Sequence, residues 1–404
     1  MKTLLLLLVC TACFTERSTV VAQCKADSTL RSQEPSTFAA PEYTRQIQLA
    51  RRAALRIYDQ EMRGNLDSAI KDKLARPPGI SIAVTVDNKL VWAEGFGFAD
   101  VEQCVPVVPK TKFRIGSVSK TLTSAGAAVL YEQGRLDLDA PIRLYVPSFP
   151  DKGYVISTRE LLGHLGGIRE YNADEGSKLD RDVYRSVSES LKRFKDDPLA
   201  AAPGTKWIYS TYGYVLASAA IEGASRQDFL AFMHDHVFVP LGMHNTVADE
   251  AAKIISYRAR WYTVTADGSY SNTPYEDLSY KWAGGGFLST AEDLARFGAA
   301  LSKPGFLNQD TLTMIFSRQK TIDGKSTKYG LGWFIHDAGQ GAERQFEHSG
   351  GVAGSSSWLV IYPDRGVVIA WLQNSNDFRD WPILKVAEPF FPAHQSNLRP
   401  TPAP

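Results

Sequence analysis

The chain has 404 residues, of which 44% are hydrophobic, 22% charged and 11% aromatic. This length is enough to bury a large core, and the composition excludes a disordered chain, a collagen-like repeat and a disulfide-dense mini-protein. The 45 Lys and Arg residues balance 44 Asp and Glu residues, which leaves a net charge of +1. Because nucleic-acid-binding proteins normally carry a basic excess or stripe, this balance argues against a nucleic-acid partner.

The first residues predict a targeting segment. Lys2 precedes an apolar run over residues 4–10. The run is too short for a transmembrane helix, which needs about 20 apolar residues, whereas a basic start and a short apolar core are typical of a secretory signal peptide. We therefore expect a signal peptide over residues 1–22, cleaved after Ala22, and an exported (periplasmic or extracellular) protein. A lipid anchor at Cys13 is the minor alternative, and the sequence predicts no transmembrane span.

Two cysteines, Cys24 and Cys104, lie beyond this segment. In the oxidising compartment that an exported protein reaches, the two could pair as a disulfide. Their wide separation favours two unrelated thiols, so the sequence leaves the pairing open. The polar residues 23–40 predict a flexible N-terminal segment.

Apolar periodicity and turn residues then predict the elements in chain order. The predicted helices cover residues 41–75 with a break near Gly64, 121–133, 212–222, 290–301 and 378–390. The predicted strands cover residues 80–86, 90–98, 329–336, 345–348, 355–362 and 367–372. Between residues 136 and 328 the pattern is mostly short helices and loops.

Strands at both ends with helices between them predict an α+β fold, an α/β sandwich. One antiparallel sheet, built from the N- and C-terminal segments with flanking helices, would carry an inserted, mostly helical region. We expect a single domain over residues 41–395, with a sheet subdomain about 41–116 and 329–392, a helical subdomain about 117–328, and a tail over 396–404.

Ser117 and Lys120 open the first mid-chain helix and are three residues apart. Residues at i and i+3 share a helix face, so the lysine amine can approach the serine hydroxyl. A serine alcohol is a weak nucleophile until a base removes its proton, and a lysine can serve when burial or positive charge lowers its pKa. Ser-x-x-Lys is the nucleophile motif of serine β-lactamases and penicillin-binding proteins, although the same four residues also suit a capped helix start with a solvated lysine.

A second element is Tyr209-Ser210-Thr211, which precedes a predicted helix. The Tyr209 phenol can relay a proton between nucleophile and leaving group if a nearby lysine lowers its pKa. A tyrosine that simply packs a loop is the alternative.

A third element is His348-Ser349-Gly350-Gly351, which ends one predicted strand and precedes another. Small residues there let a substrate lie along the strand edge. The main-chain N–H of Gly351 could pair with that of Ser117 as an oxyanion hole. The alternative is a glycine-rich turn between strands.

Together the three elements resemble the penicillin-binding-protein and class C β-lactamase superfamily of serine hydrolases. Within it the chain is similar to the branch of the mitochondrial serine β-lactamase-like protein, a peptidase, and its bacterial relatives. The resemblance runs over about residues 78–374. Further matching segments are residues 134–139, 160–168, 272–275, 281–290 and 329–333.

The resemblance implies a β-lactamase/transpeptidase-like fold, a serine acyl-enzyme, and no metal or other cofactor. It implies a catalytic set in which Ser117 is the nucleophile, Lys120 its base partner and Tyr209 the proton relay. It also implies a substrate-binding and oxyanion set: His348, Ser349, Gly350, Gly351 and Thr211.

Two motifs depart from the superfamily pattern. The usual Tyr-x-Asn ends here in Thr211, a shorter hydroxyl side chain. The Lys-Thr-Gly of true β-lactamases begins here with His348, and histidine is near its pKa at neutral pH whereas lysine is charged. We therefore expect a weaker hold on the carboxylate of a β-lactam or a D-Ala-D-Ala peptide.

The sequence thus predicts an exported serine hydrolase that cleaves peptide or other acyl bonds of a small-molecule or peptide substrate. The first alternative keeps the fold and changes the substrate: a β-lactamase, a D-Ala-D-Ala carboxypeptidase or an esterase. The second is a binding or filament-forming protein without turnover, since the mitochondrial relative forms filaments and self-assembly is open here. His234 and His236 lack a third ligand at metal-binding spacing, which argues against a zinc site.

Overall fold

The computed structural model describes residues 37–59, 77–172, 175, 180–264, 269–339, 342–376 and 383–392. The predicted signal peptide and lipid site, most of the predicted flexible segment, the predicted helix after Gly64, the start of the closing helix and the tail lie outside the described residues. In the part of the chain that is described, no helix has both the length and the apolar character to cross a membrane.

Strands cluster towards both ends of the chain, and helices fill the middle. The strands are β1 (Thr37–Ala39), β2 (Gly79–Val86), β3 (Lys89–Asp100), β4 (Val105–Pro106), β5 (Phe113–Arg114), β6 (Val247–Ala248), β7 (Tyr262–Val264), β8 (Tyr270–Asn272), β9 (Phe287–Ser289), β10 (Phe334–His336), β11 (Gln345–Val352), β12 (Ser355–Tyr362) and β13 (Val367–Gln373). The helices are α1 (Thr44–Asp59), α2 (Ser119–Glu132), α3 (Thr158–Leu162), α4 (Val187–Leu191), α5 (Thr211–Ser225), α6 (Phe229–Met233), α7 (Trp282–Gly285), α8 (Ala291–Leu301), α9 (Gln309–Ile315) and α10 (Ile383–Ala387).

Within the described residues, eight strands form one antiparallel sheet in the order β1-β3-β2-β13-β12-β11-β10, with β4 paired to β3. The sheet joins strands from both ends of the chain, so the predicted α+β fold with its mixed-origin sheet is confirmed. The predicted hairpin is present as β2 and β3. Asp87 and Asn88 at its turn have φ angles of 49° and 68°, a left-handed conformation that Asp and Asn tolerate better than other residues.

Helices cover both faces of the sheet, which explains why its central strands are apolar almost throughout. Trp358 and Val360 of β12 belong to the core shared with α1 and α10. Their neighbours Leu359 and Ile361 belong to the larger core shared with the helical region. Every residue of β12 is buried, as expected for a strand that is covered on both sides.

Small strands that the sequence analysis did not predict lie in the helical region and just before it. β5, β9 and β6 form a three-stranded sheet, and β7 pairs with β8. Each of these strands has two or three residues, too few for an alternating pattern to be visible. The small sheet matters because β5 leads directly into the residues around Ser117.

Two further strands and one cysteine differ from expectation. β1 lies within the predicted flexible segment, because its backbone pairs with residues 92–94 of β3. The predicted strand over residues 329–336 is limited to β10. Cys104 forms a disulfide whose partner lies outside the described residues, so the preference for two unpaired thiols is wrong for this residue.

The glycine-rich motif lies inside β11, not after it. Gly350 pairs with Ser357 and Gly351 with Ser356 on β12. A glycine is required at position 350, because a Cβ there would lie 2.0 Å from the carbonyl oxygen of Ile115. The strand therefore continues through the motif and brings its backbone against the turn that carries Ser117.

Candidate active site

Ser117 lies in a short 3-10 helix, Gly116–Val118, between β5 and α2. Gly116 has a φ of 47°, and a Cβ at this position would lie 2.8 Å from the amide nitrogen of Gly351. Both the conformation and the close contact require glycine. The turn thus holds Ser117, which is half-buried, against the edge of the main sheet.

Lys120 is completely buried, one turn further along the helix. Its Nζ donates hydrogen bonds to Ser117 Oγ at 3.1 Å, Thr211 Oγ1 at 3.3 Å and the carbonyl oxygen of Gly284 at 2.7 Å. All three acceptors are uncharged. Burial lowers the pKa of Lys120 to about 7, against the opposing influence of the Glu170 carboxylate. A large fraction of this amine is therefore neutral at physiological pH and can accept a proton from Ser117.

Tyr209 completes the group of three side chains that the sequence singled out. Its phenol hydrogen-bonds to Ser117, and Lys120 Nζ lies 4.8 Å from the centroid of its ring. Burial raises the pKa of Tyr209 well above its usual value. Lys120 therefore does not acidify this phenol, and the condition set for the relay on the sequence is not what the structure provides. Tyr209 stays protonated at neutral pH and can act as a proton donor.

Thr211 contacts Lys120, not an open cleft. The residue is buried at the start of α5, where its hydroxyl accepts the hydrogen bond from Lys120. Its backbone N–H donates to the Glu170 carboxylate. A Cβ on Gly284 would lie 2.6 Å from Thr211 Cγ2, so α5 and α7 meet here without room for a larger residue. Thr211 and Gly284 together orient the lysine amine.

His348 is buried, and both of its ring nitrogens have partners. Nδ1 lies 2.6 Å from the carbonyl oxygen of Ser349, which can only accept, so Nδ1 carries the proton. Nε2 then accepts from the Tyr329 hydroxyl at 2.9 Å. Burial, with the nearby charge of Lys120, lowers the pKa of His348 to about 3. The expectation of an imidazole near its pKa is wrong: this ring is neutral and offers no positive charge to a substrate.

Ser349, Gly350 and Gly351 contribute backbone to the site. Ser349 pairs with Trp358, whose side chain packs towards α1, so the Ser349 side chain lies on the opposite sheet face from Ser117. A Cβ on Gly350 would lie 2.9 Å from the amide nitrogen of Ser117. The amides of Ser117 and Gly351 are thus brought together, as two oxyanion donors must be.

Sequence reasoning missed several residues that shape this site. Glu170 and Tyr329 act on it through Thr211 and His348, and the Gly284 carbonyl binds Lys120 directly. Tyr329 and Gly284 lie in segments that resemble the superfamily, and this resemblance could have identified them as candidates. A backbone carbonyl acceptor leaves no mark in the residue pattern.

The two histidines once considered for metal binding have other neighbours. His234 pairs with Asp235, and His236 lies 3.1 Å from the Gln227 side chain and stacks on Phe232. Within the described ranges, no group of three or more His, Cys, Asp or Glu side chains could hold a metal ion.

Comparisons with known proteins identify the family of the chain. Residues 66–387 match the family model described as Beta-lactamase. The human protein named "Serine beta-lactamase-like protein LACTB, mitochondrial" is 34% identical over 386 residues, which cover 73% of this chain and 70% of that protein. "Penicillin-binding protein 4*" of Bacillus subtilis (strain 168) is 27% identical, with 74% of this chain and 69% of that protein covered.

Solved structures share the fold. An octameric penicillin-binding protein homologue from Pyrococcus abyssi superposes with a TM-score of 0.67 at 23% identity, covering 81% of this chain and 73% of its own. The D-amino acid amidase from Ochrobactrum anthropi SV3 superposes with a TM-score of 0.69 at 24% identity, covering 84% and 98%. The family match over most of the chain, together with the mitochondrial relative, shows that this chain belongs to the β-lactamase family of serine hydrolases.

Proposed function

We propose that this protein is an exported serine hydrolase that cleaves peptide or other acyl bonds through an acyl-enzyme on Ser117. The observation that carries the proposal is the 3.1 Å contact between Ser117 Oγ and Lys120 Nζ, an amine whose pKa burial lowers to about 7. A base of that pKa is matched to removing a serine proton at physiological pH.

The residues support a two-step reaction. Neutral Lys120 takes the Ser117 hydroxyl proton while Oγ bonds to the substrate carbonyl carbon, whose oxygen becomes an anion between the amides of Ser117 and Gly351. When the intermediate collapses, the bond to the leaving group breaks and Tyr209 protonates that group, recovering its own proton from Lys120. Water then attacks the ester carbonyl carbon and its proton passes to Lys120. As the bond between that carbon and Ser117 Oγ breaks, Lys120 returns the proton to Ser117 Oγ, which releases the carboxylic acid product and restores the serine hydroxyl and the neutral lysine.

Labelling with a fluorophosphonate probe tests the nucleophile. The wild-type protein should form a covalent phosphonyl adduct with loss of fluoride, and Ser117→Ala should not be labelled while keeping the wild-type unfolding temperature. Ser119→Ala is the matched control, since Ser119 lies two residues away with its hydroxyl turned to the amide of Phe287, and it should retain labelling. Undiminished labelling of Ser117→Ala would refute the assignment.

The neutral His348 argues against the β-lactamase and D-Ala-D-Ala carboxypeptidase alternatives, since both substrates carry a free carboxylate. A panel of nitrocefin, D-Ala-D-Ala peptides, short nitrophenyl esters and L-peptides separates these activities. We expect turnover of uncharged esters and peptides to exceed turnover of nitrocefin. Preferred hydrolysis of nitrocefin would contradict the peptidase-like proposal.

Export is proposed from the N-terminal sequence and is supported by the Cys104 disulfide, which is typical of an oxidising compartment. Expression of the full chain followed by mass analysis of the mature N-terminus tests it. A secreted product that begins after Ala22 is expected. A lipid found on Cys13 would favour the membrane-anchored alternative. A protein that stays in the cytosol with its N-terminal segment uncleaved would contradict export.

Self-assembly is the remaining proposal, motivated by the octamer named for the Pyrococcus abyssi homologue. Light scattering of the purified protein measures it, and a monomeric mass at all concentrations would contradict it. Acylation of one equivalent of Ser117 without turnover of any substrate would favour a binding or filament-forming protein instead.

A further inference from the structure

We propose that the cavity beside Ser117 binds a secondary amide in the acyl part of the substrate, through the ion pair of Lys281 and Glu276. The inference rests on the proposed function, because it names the chemical group that the same site recognises. It selects N-acylated amino acids and peptides over simple alkanoyl esters.

The cavity has a volume of about 520 Å³ and adjoins the edge of β11. One wall is formed by Gly351 and the two residues after it, and another by Glu276, Tyr280 and Lys281. Gly351 also contacts the turn of Ser117, since its nitrogen lies 2.8 Å from where a Cβ on Gly116 would stand. The cavity therefore begins where the oxyanion would be held.

The position of the proton donor decides which part of the substrate enters. Tyr209 lies beside His348, with ring centroids 6.4 Å apart. A leaving group must depart towards the residue that protonates it, hence towards His348. The cavity lies at the other end of this strand segment, beyond Gly351. It therefore receives the acyl side of the scissile bond.

The ion pair has the polarity that an amide needs. Lys281 Nζ lies 2.9 Å from Glu276 Oε1, and the two side chains are 11% and 7% exposed. The Tyr280 hydroxyl donates to the same carboxylate oxygen at 3.1 Å. The ammonium has three N–H groups, of which the bond to Glu276 uses one, and the carboxylate has a second oxygen. An amide carbonyl can accept from Lys281 while an amide N–H donates to Glu276.

The pair also discriminates by charge. The net charge of the pair is zero, and Glu175, which also lines the cavity, is paired with Arg169. A substrate carboxylate therefore meets the repulsion of Glu276, and an ammonium group meets that of Lys281. A neutral group with a donor and an acceptor gains from both partners. Because both charges are largely removed from water, their hydrogen bonds to such a group are stronger than at an exposed site.

Three p-nitrophenyl esters of equal chain length test the inference on the wild-type protein. N-acetylglycine carries the amide, 4-oxopentanoate replaces its N–H with CH2, and pentanoate lacks both polar groups. For each ester, kcat/KM is divided by the rate constant of its hydrolysis by hydroxide, which corrects for differences in intrinsic reactivity. This normalised kcat/KM should be about tenfold or more higher for the N-acetylglycyl ester than for the pentanoyl ester, and the value for the oxo ester should lie between them. Equal normalised values for the three esters would overturn the inference.

Variants locate the preference. Lys281→Met should reduce the N-acetylglycyl to pentanoyl ratio to about one, and so should the double variant that adds Glu276→Met, which removes every hydrogen-bonding group of the pair and leaves no buried charge unpaired. Lys253→Met is the matched control, since Lys253 is an exposed lysine paired with Glu250, and it should keep the wild-type ratio. Thermal unfolding verifies that each variant is folded. A wild-type ratio in the folded double variant would overturn the inference.

The same esters separate this inference from the proposed function. If Ser117→Ala still hydrolyses them, the proposed function fails. If Ser117→Ala is inactive and the N-acetylglycyl to pentanoyl ratio of the wild-type protein is near one, Ser117 is supported as the nucleophile and the amide-binding site is contradicted.

Discussion

Lys120 and Lys281 are both buried lysines beside the same cleft, yet their surroundings differ in one respect. The acceptors of Lys120 are two hydroxyls and a carbonyl, none of which is charged, whereas Lys281 is bonded to the Glu276 carboxylate. Burial lowers the pKa of both, and in Lys281 Glu276 opposes this directly. The difference teaches that burial alone does not turn a lysine into a general base. Its hydrogen-bond acceptors must also be uncharged, so that no carboxylate stabilises the ammonium form.

The largest effect is expected from exchanging Lys120 for methionine, and the same exchange at Lys281 is the comparison. Lys120→Met should lower kcat/KM for the pentanoyl ester by about 10²- to 10⁴-fold, because the proton acceptor is removed. Lys281→Met should lower it by a much smaller factor, because pentanoate offers no group for the ion pair. Steady-state kinetics on both folded variants measures this, and equal losses would break the distinction between the two lysines.

The pH dependence of the reaction follows from the protonation of Lys120. Only the neutral amine can take the Ser117 proton, so kcat/KM should rise tenfold per pH unit below about 7 and level off above it. A pH–rate profile from 5 to 9 at constant ionic strength measures the midpoint. A midpoint near the usual lysine pKa, or a flat profile, would contradict Lys120 as the base.

The contact between α5 and α7 gives the next effect. Gly284→Ala places a Cβ 2.6 Å from Thr211 Cγ2, so either α7, whose carbonyl binds Lys120, or the Thr211 side chain, which also binds Lys120, must shift. We expect acylation to slow by about tenfold or more, because small misplacements of a catalytic group are costly. Gly339→Ala is the control, since a Cβ there meets no atom within 4 Å, and it should acylate at the wild-type rate. Equal rates for both variants would remove Gly284 from the positioning of Lys120.

The smallest effect sharpens the role of Glu276. Glu276→Gln removes the carboxylate that holds up the pKa of Lys281, so this pKa should fall further below its usual value. Titration of reductively ¹³C-methylated protein by NMR follows the lysine directly. An unchanged or higher pKa would mean that Glu276 does not control the charge of Lys281.

Helices and strands with a regular apolar periodicity could be predicted from the sequence. The three-residue spacing of Ser117 and Lys120 likewise predicted that the two side chains share a helix face. The hairpin of β2 and β3 follows from alternating residues around Asp87-Asn88, and helix α2 extends two residues earlier than its apolar pattern. β11 was predicted too short, because glycine is a poor strand former in isolation and only the turn at Ser117 explains its presence.

The electrostatic state of the site could not be predicted. Burial and the nearby charge of Lys120 lower the pKa of His348 and keep its ring neutral, and burial likewise keeps Tyr209 protonated. Both effects depend on how completely water is excluded. The exclusion of water depends on how the helices pack against the sheet in the folded protein, and no local sequence pattern reveals it.

The contact of Gly116 with Gly350 and Gly351 has a practical consequence for redesign. Neither Gly116 nor Gly350 has room for a methyl group, so the spacing of the two amides beside Ser117 cannot be adjusted by substitution without moving the backbone. A mutagenesis library aimed at new substrates should therefore hold these two glycines constant.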